Sequence, residues 1–404
     1  MASVITQNRR VVSGLRPTGR LHLGHYYGVL KEWVRLQHEY ECFYFVADWH
    51  ALSTQFEHSD SIRDNVWEMV IDWLAVGIDP GDTKLFLQSR VPEHAEMHLL
   101  LSMITPLAWL ERVPSYRERR ESSETELDTY GFLGYPLLQA ADVLMYKAGL
   151  VPVGEDHIPH IELARDIARR FNFLFGREPD FEEKAEAAIA KIGRRNAKLY
   201  RRLRKDFQEH GDGEALAKAQ ALLETQQNIS VGDVERLFGY LEGGGKIILP
   251  EPHELATDIG RMPGLDGLKM SKRAGNTIEL REAPDSVAQK INTMPTDPAR
   301  ARLSDPGEPA KCPVYGLHEI FSDDTCRAWV MEGCRTAQFG CLKCKEPLID
   351  SIVSEQQPIL ERAKEYEQDP EVVRSVIAEG TEAARDIARE TLDEVHHAMN
   401  LVYR

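Results

Sequence analysis

Between residues 9 and 150, short apolar runs alternate with longer stretches of helical period, and this alternation limits the possible fold more than any other feature. Arg10 to Ser13 is a short β-type run, and Val29 to Gln37 suits a helix. Glu41 to Ala47 is an aromatic run ending at Asp48, the pattern of a buried strand. Asp60 to Val76 has helical period, Lys84 to Leu87 reads as strand, and Glu93 to Trp109 reads as helix. Strands that alternate with helices predict a doubly wound parallel sheet, an α/β fold. Such sheets bind ligands beyond the carboxyl ends of their strands. Here those ends are Gly14 to Gly19, Asp48 to Ser53 and Gln88 to Arg90, and the first two carry the polar residues expected to matter.

The loop after the first run, residues 16 to 28, holds Gly19, Gly24, His22 and His25. A strand, a tight glycine loop and a helix start offer free backbone N–H groups to a phosphate. Two imidazoles three residues apart share a face on a first helical turn and can donate to phosphoryl oxygens. Alone, such a loop is common, and His-x-x-His also suits a metal or an ordinary polar surface. A second stretch sharpens the case. Lys269-Met270-Ser271-Lys272-Arg273 lies between Gly264, Gly267 and Gly275. A lysine run is usually a solvated face. Beside a histidine-bearing phosphate loop, it suits a triphosphate and its leaving pyrophosphate.

His22-Leu23-Gly24-His25 resembles the HIGH motif, and Lys269 to Arg273 the KMSKS motif, of class I aminoacyl-tRNA synthetases. Four further stretches narrow the resemblance to tryptophanyl-tRNA synthetases of bacterial type: Gly14 to Gly19, Ala47 to Leu52, Gly134 to Asp142 and Val151 to Asp156. Arg273 stands where the lysine motif usually ends in serine, and His25 where this family often has asparagine. The resemblance implies a Rossmann-type catalytic domain in two parts, 1–180 and 247–282, with a mainly helical insertion at 181–246. A helical anticodon-binding domain then spans 283–404. It also implies ATP-dependent attachment of L-tryptophan to tRNA(Trp) through an adenylate, with Mg2+ accompanying ATP. His22, His25, Lys269, Ser271 and Lys272 become the catalytic candidates. Arg16, Pro17, Thr18, Gly24, Gly154, Glu155, Asp156, Met262, Met270 and Arg273 join His25 and the motif's Lys269, Ser271 and Lys272 around ATP.

For the amino acid the candidates are Asp142, Tyr135, Gln139, His50 and His157. The spacing of Gln139 and Asp142 puts both on one helical face. That face is either a helix turn with a surface acid or a pocket wall whose acid accepts a ring N–H. The residues alone would serve indole or phenol; the resemblance makes Asp142 the tryptophan reader. His157 and His160 suit either substrate contact or a structural role. A tyrosyl-tRNA synthetase and a non-charging nucleotide- and RNA-binding paralogue remain the alternatives.

The formal net charge of −16 argues against a protein that coats nucleic acid nonspecifically, although local basic patches can still meet RNA phosphates. One such block lies in the insertion: Lys191, Arg194, Arg195, Lys198, Arg201, Arg202, Arg204 and Lys205, with no acid among them. It is either a solvated helix face or a tRNA backbone contact. No run of about 18 apolar residues suggests a membrane span, and the opening residues carry no apolar signal core. A cytoplasmic protein without a membrane partner is expected, and the family suggests a homodimer. Cys312, Cys334, Cys341 and Cys344, with 21, 6 and 2 residues between them, read as a metal site, with zinc and iron–sulfur both open by ligand softness. Their spacing is similar to that of the tryptophanyl-tRNA synthetases that carry a [4Fe–4S] cluster. Cys42 and Cys326 read as non-ligands.

Overall fold

The computed structural model describes residues 9–114, 116, 129–226, 228–256 and 262–403. Five strands form one sheet: β1 (Arg10–Leu15), β2 (Glu41–Val46), β3 (Thr83–Leu87), β4 (Leu150–Val153) and β5 (His253–Ala256). Their order is β3-β2-β1-β4-β5, and each neighbouring pair is parallel. Val12 faces Phe43 in β2, and Phe43 faces Lys84 in β3. Alternate residues of each strand go to opposite faces. Val11, Cys42, Tyr44, Val46, Leu85 and Leu87 join one core, while Val12, Phe43, Phe45 and Phe86 join the other. A sheet buried on both faces explains why these strands read as unbroken apolar runs.

Helices cover both faces. The first core holds α1 (Lys31–Leu36), α2 (Asp48–Gln55) and α3 (Ser59–Val76). The second holds α4 (Glu93–Ser102), α5 (Tyr130–Met145) and α6 (Ile158–Phe175). The helical stretch expected from Glu93 to Trp109 ends at Ser102; Pro106 then starts a short helix, Leu107–Glu111. A proline at that point cannot continue the preceding hydrogen-bond ladder.

The insertion is helical, as α7 (Phe181–Lys191), α8 (Arg194–His210), α9 (Gly213–Glu224) and α10 (Val231–Leu241). It has its own core of Ile189, Tyr200, Leu223, Leu237 and neighbours. The C-terminal region contains α11 (Pro284–Thr293), α12 (Pro313–Phe321), α13 (Asp324–Arg335), α14 (Cys341–Gln368) and α15 (Pro370–Ala398). Its two long helices reach both cores, with Val373 and Ile377 of α15 joining α14 in the first. Ile352, Ile359 and Ala363 of α14 enter the first core, and Ala384, Ala388 and Leu392 of α15 enter the second. Helix α15 also lies against edge strand β3. A Cβ on Gly380 would stand 2.1 Å from the Leu85 carbonyl oxygen, so only glycine permits that approach. Among the described residues, no helix is long and apolar enough to cross a membrane.

Candidate active site

Strand β1 is flanked by β2 on one side and β4 on the other, so the chain switches direction across the sheet at the β1/β4 crevice. The loops leaving β1 and β4 rim this crevice. After β1, a tight turn closes with Thr18 N–H donating to the Arg16 carbonyl at 2.8 Å. His22 then caps a one-turn helix, Leu23–His25, which runs on as a π-turn, Tyr26–Leu30. His25 Nδ1 accepts from the His22 backbone N–H at 3.2 Å, and the two rings lie 3.8 Å apart. Burial, then the Lys272 charge, pushes His22 down to about 4; burial, then His22, holds His25 well below its ordinary value. Both imidazoles are therefore neutral near neutral pH. The Nδ1 of His22 is buried and has no hydrogen-bond partner among the described residues.

The lysine loop closes over this floor. Leu23 N–H donates to the Ile278 carbonyl at 3.0 Å and Leu280 N–H to the Leu21 carbonyl at 2.9 Å, stitching the segment after the loop to the histidine motif. Lys272 Nζ donates to the Gly19 carbonyl at 2.7 Å. Gly19 holds a φ of +117°, a conformation that favours glycine and turns its carbonyl toward the ammonium. Burial, with Arg16 adding to it, lowers Lys272 to about 8. Lys269 Nζ reaches Asp156 Oδ2 at 3.9 Å, bridging to the loop after β4. Met270 N–H donates to the Met262 carbonyl at 2.9 Å, and both side chains are buried.

Asn276 organises the loop and was not among the sequence candidates. It is 4% exposed, accepts from Ser271 N–H at 2.8 Å, and donates to Asp266 Oδ1 and the Lys269 carbonyl. Ser271 Oγ accepts from Ala274 N–H at 3.3 Å, which fixes the turn, and Arg273 faces solvent. Gly154 starts the loop after β4, with the His157 N–H donating back to its carbonyl at 3.0 Å. The side chain of Glu155 lies outside the described residues.

The amino-acid candidates meet around one buried carboxylate. Asp142 is 1% exposed. Its Oδ2 lies 2.7 Å from His50 Nε2, and its Oδ1 lies 2.6 Å from His94 Nδ1 and 2.8 Å from Gln88 Nε2. Burial alone would raise this carboxyl, but the His50 charge and the bonds from His50 and His94 hold it below the usual range. Gln88 and His94 follow β3, so the third strand end matters as much as the other two, contrary to the expectation above. No local signal marks them: Gln88 and His94 each read as an isolated polar residue beside apolar neighbours. Asp48 ties the second and third ends together, accepting from Ser89 N–H at 3.0 Å and from the Ser89 hydroxyl.

Tyr135 is half-buried with its hydroxyl 3.3 Å from His160 Nε2, and the His157 ring lies 5.3 Å from that of His160. Gln139 is half-buried one turn before Asp142. Beside this cluster opens a cavity of about 440 Å3 lined by Trp49, Leu52, Phe56, His98, Tyr130, Tyr135 and Leu138.

The four clustered cysteines gather where helix ends meet: Cys312 caps α12, Cys334 ends α13, and Cys341 and Cys344 open α14. Burial pushes Cys344 up to about 12, and Cys312, Cys334, Cys341 and Cys326 push it the same way. Arg300 Nη1 lies 3.8 Å from Cys334 Sγ and His318 Nε2 lies 3.5 Å from Cys344 Sγ. Four cysteine sulfurs near one another are the donor set that a zinc or iron–sulfur centre takes, so the residues fit such a group in kind. Among the described residues, no His, Cys, Asp and Glu group is drawn into coordinating geometry.

The basic block of the insertion is largely engaged by its own surroundings. Lys191 pairs with Asp233, Arg201 with Glu186, Arg202 with Asp206 and Lys205 with Glu209. Arg204 donates to the Tyr240 carbonyl and lies over that ring. This arrangement favours the solvated-face reading.

The model of the class I tRNA synthetases (W and Y) matches residues 6–186 and 226–355. The chain is 61% identical over 395 residues to a tryptophan–tRNA ligase of Ralstonia nicotianae, covering 98% of this chain and 99% of that one. It is 40% identical over 398 residues to the tryptophan–tRNA ligase of Thermotoga maritima, covering 98% and 100%. Its fold is similar to that of tryptophanyl-tRNA synthetase from Campylobacter jejuni, crystallised with ADP and tryptophan. That match has a TM-score of 0.73 over 97% of this chain and 99% of that one, at 24% identity.

Proposed function

We propose, for a chain that belongs to the class I tRNA synthetases of the tryptophan and tyrosine type, that it charges tRNA(Trp) with L-tryptophan at the β1/β4 crevice. The observation that carries the reading is the buried Asp142, whose carboxyl is held below the usual range by His50 and His94, in a fold whose lysine loop docks on the histidine motif. The tryptophan carboxylate attacks the α-phosphate of ATP, whose Mg2+ travels with it. A P–O bond forms to the carboxylate, the bond to the β-phosphate bridging oxygen breaks, and pyrophosphate leaves. A ribose hydroxyl of the tRNA terminal adenosine then attacks the acyl carbon, loses its proton and releases AMP.

No side-chain nucleophile is needed, and the work of the protein is positioning and charge stabilisation. Lys272 exchanges the Gly19 carbonyl for a phosphate oxygen, and Lys269 turns from Asp156 to the pyrophosphate. His22 and His25 donate N–H groups to phosphate from the helix start. Arg16, Pro17, Thr18, Gly24, Met262, Met270, Ser271 and Arg273 shape the ATP site with Gly154, Glu155 and Asp156. Asp142 accepts the indole N–H, Tyr135, Gln139 and His50 wall the ring, and His157 meets the amino-acid head group.

The division into 1–180, 181–246, 247–282 and 283–404 belongs to the same proposal, supported by the separate core of the insertion. So do a cytoplasmic location and a homodimer. Cys312, Cys334, Cys341 and Cys344 are proposed to hold a [4Fe–4S] cluster, with zinc the alternative. Bound, the group would cross-link three helix ends, and aminoacylation requires no electrons from it.

Amino-acid-dependent ATP–pyrophosphate exchange tests the reading. Exchange with tryptophan and not tyrosine is expected. Exchange with tyrosine would overturn the reading of Asp142, and no exchange with either would favour a non-charging paralogue.

A further inference from the structure

The carboxylate of Asp142 can be counted out oxygen by oxygen. A carboxylate oxygen has about two acceptor sites. Oδ1 already serves two donors, Gln88 Nε2 at 2.8 Å and His94 Nδ1 at 2.6 Å. Oδ2 serves one, His50 Nε2 at 2.7 Å. Among the described residues one acceptor site therefore remains, on Oδ2, beside the bond from His50.

What keeps that count is a residue behind the carboxylate. His94 is fully buried, and its other nitrogen, Nε2, lies 2.7 Å from the Tyr146 hydroxyl. Tyr146 is itself fully buried, and because the carboxylate oxygen Oδ1 can only accept, His94 Nδ1 is the donor there and its Nε2 is left to accept from the Tyr146 hydroxyl. A hydroxyl that donates to Nε2 leaves the single imidazole proton on Nδ1, aimed at Oδ1. The neighbouring Glu93 is gripped by Arg385 Nη2 at 3.0 Å and Arg389 Nε at 3.3 Å, which anchors the start of α4.

We infer that His94 is a positioning residue for tryptophan recognition: Tyr146 sets its tautomer, and it saturates Asp142 Oδ1 with Gln88, so that Oδ2 alone is left to accept the indole N–H. The inference rests on the reading of Asp142 as the indole acceptor. Without the His94 donor, Oδ1 keeps only Gln88 and gains a vacant acceptor site that competes with Oδ2 for the substrate N–H.

The test compares tryptophan with 1-methyltryptophan, whose ring nitrogen has no hydrogen, in ATP–pyrophosphate exchange. The readout is the ratio of their kcat/KM values, with the ATP KM and the thermal midpoint measured alongside. His94→Leu removes the donor. His94→Asn restores an amide N–H near the Nδ1 position. Tyr146→Phe leaves the ring in place and removes the hydroxyl that sets the tautomer.

In His94→Leu the ratio is expected to fall by about tenfold, chiefly through the tryptophan KM, with the ATP KM unmoved. His94→Asn should recover most of the ratio, and Tyr146→Phe should fall between. A merely structural histidine would lower the thermal midpoint and leave the ratio intact. An unchanged ratio in Tyr146→Phe and His94→Leu, while Asp142→Asn loses it, overturns the inference and leaves Asp142 as the reader. Equal losses in His94→Leu and His94→Asn also overturn it. A parent protein that does not prefer tryptophan over its N-methyl analogue overturns the Asp142 reading itself. Should His94→Leu fail to fold, Tyr146→Phe decides.

Discussion

Replacing Lys272 with methionine separates what the loop lysine does for the fold from what it does for the reaction. The folded protein holds this ammonium at about 8, against 10.5 for a free lysine, with burial the leading cause. Because the folded value is depressed, the cost of keeping the group charged is fully present below about pH 8 and fades as pH rises toward 10.5. At about 1.36 kcal/mol per tenfold, that difference is at most ~3 kcal/mol. Partial exposure of the ammonium screens it to roughly 1–2 kcal/mol. Methionine removes this cost but also the bond to the Gly19 carbonyl, worth about 1 kcal/mol.

The variant should therefore match or exceed the parent in stability near pH 7 and fall below it near pH 10. The two stability differences should be separated by about 1–2 kcal/mol in denaturant midpoints. Exchange tells the other half. Losing one cation at a departing pyrophosphate should lower the tryptophan-dependent rate by about a hundredfold and leave the tryptophan KM alone. A stability difference that stays flat between the two pH values would refute the electrostatic reasoning. A rate within about threefold of the parent would refute the assignment of Lys272 to the leaving group.

Asp142→Asn puts an amide donor where the indole N–H needs an acceptor. It should cost about 3 kcal/mol in kcat/KM for tryptophan, roughly a hundredfold, with the ATP KM unchanged in the same exchange assay. Gly380→Ala forces a methyl against the Leu85 carbonyl, and thermal unfolding should show a loss of about 2–4 kcal/mol. Cys344→Ser should abolish or sharply reduce bound iron or zinc in elemental analysis and lower the midpoint of unfolding. Tryptophan-dependent exchange by the protein that remains folded should persist, since aminoacylation takes no electrons from the cysteine site; loss of exchange in folded protein would overturn that.

Strands β1 to β3 were legible because a strand buried on both faces is apolar over most of its length, whereas β4 and β5, of four residues each, went unread. Glu41 to Ala47 and Lys84 to Leu87 are both such runs, and the observed strands differ from them by a residue or less at each end. The phosphate loops were legible because glycine, histidine and lysine do local work there that local spacing records. The residues behind the carboxylate were not. Gln88, His94 and Tyr146 come from three elements, and nothing within reach of each along the chain announces that they converge on Asp142. Asn276 is similar: a polar residue after a lysine run reads as surface, yet it is buried under the loop it holds.

The contact between Gly380 and Leu85 also sets a schedule. Strand β3 lies at one margin of the sheet, and an open margin offers unpaired backbone groups to any other extended chain. The helix that covers it emerges from the ribosome about 300 residues later, which at roughly 5–20 residues per second is some 15–60 s. For that interval the nascent sheet is complete in sequence on that side and exposed. A chain interrupted before its last helix is therefore not a shorter version of this protein but one left permanently at its most adhesive stage.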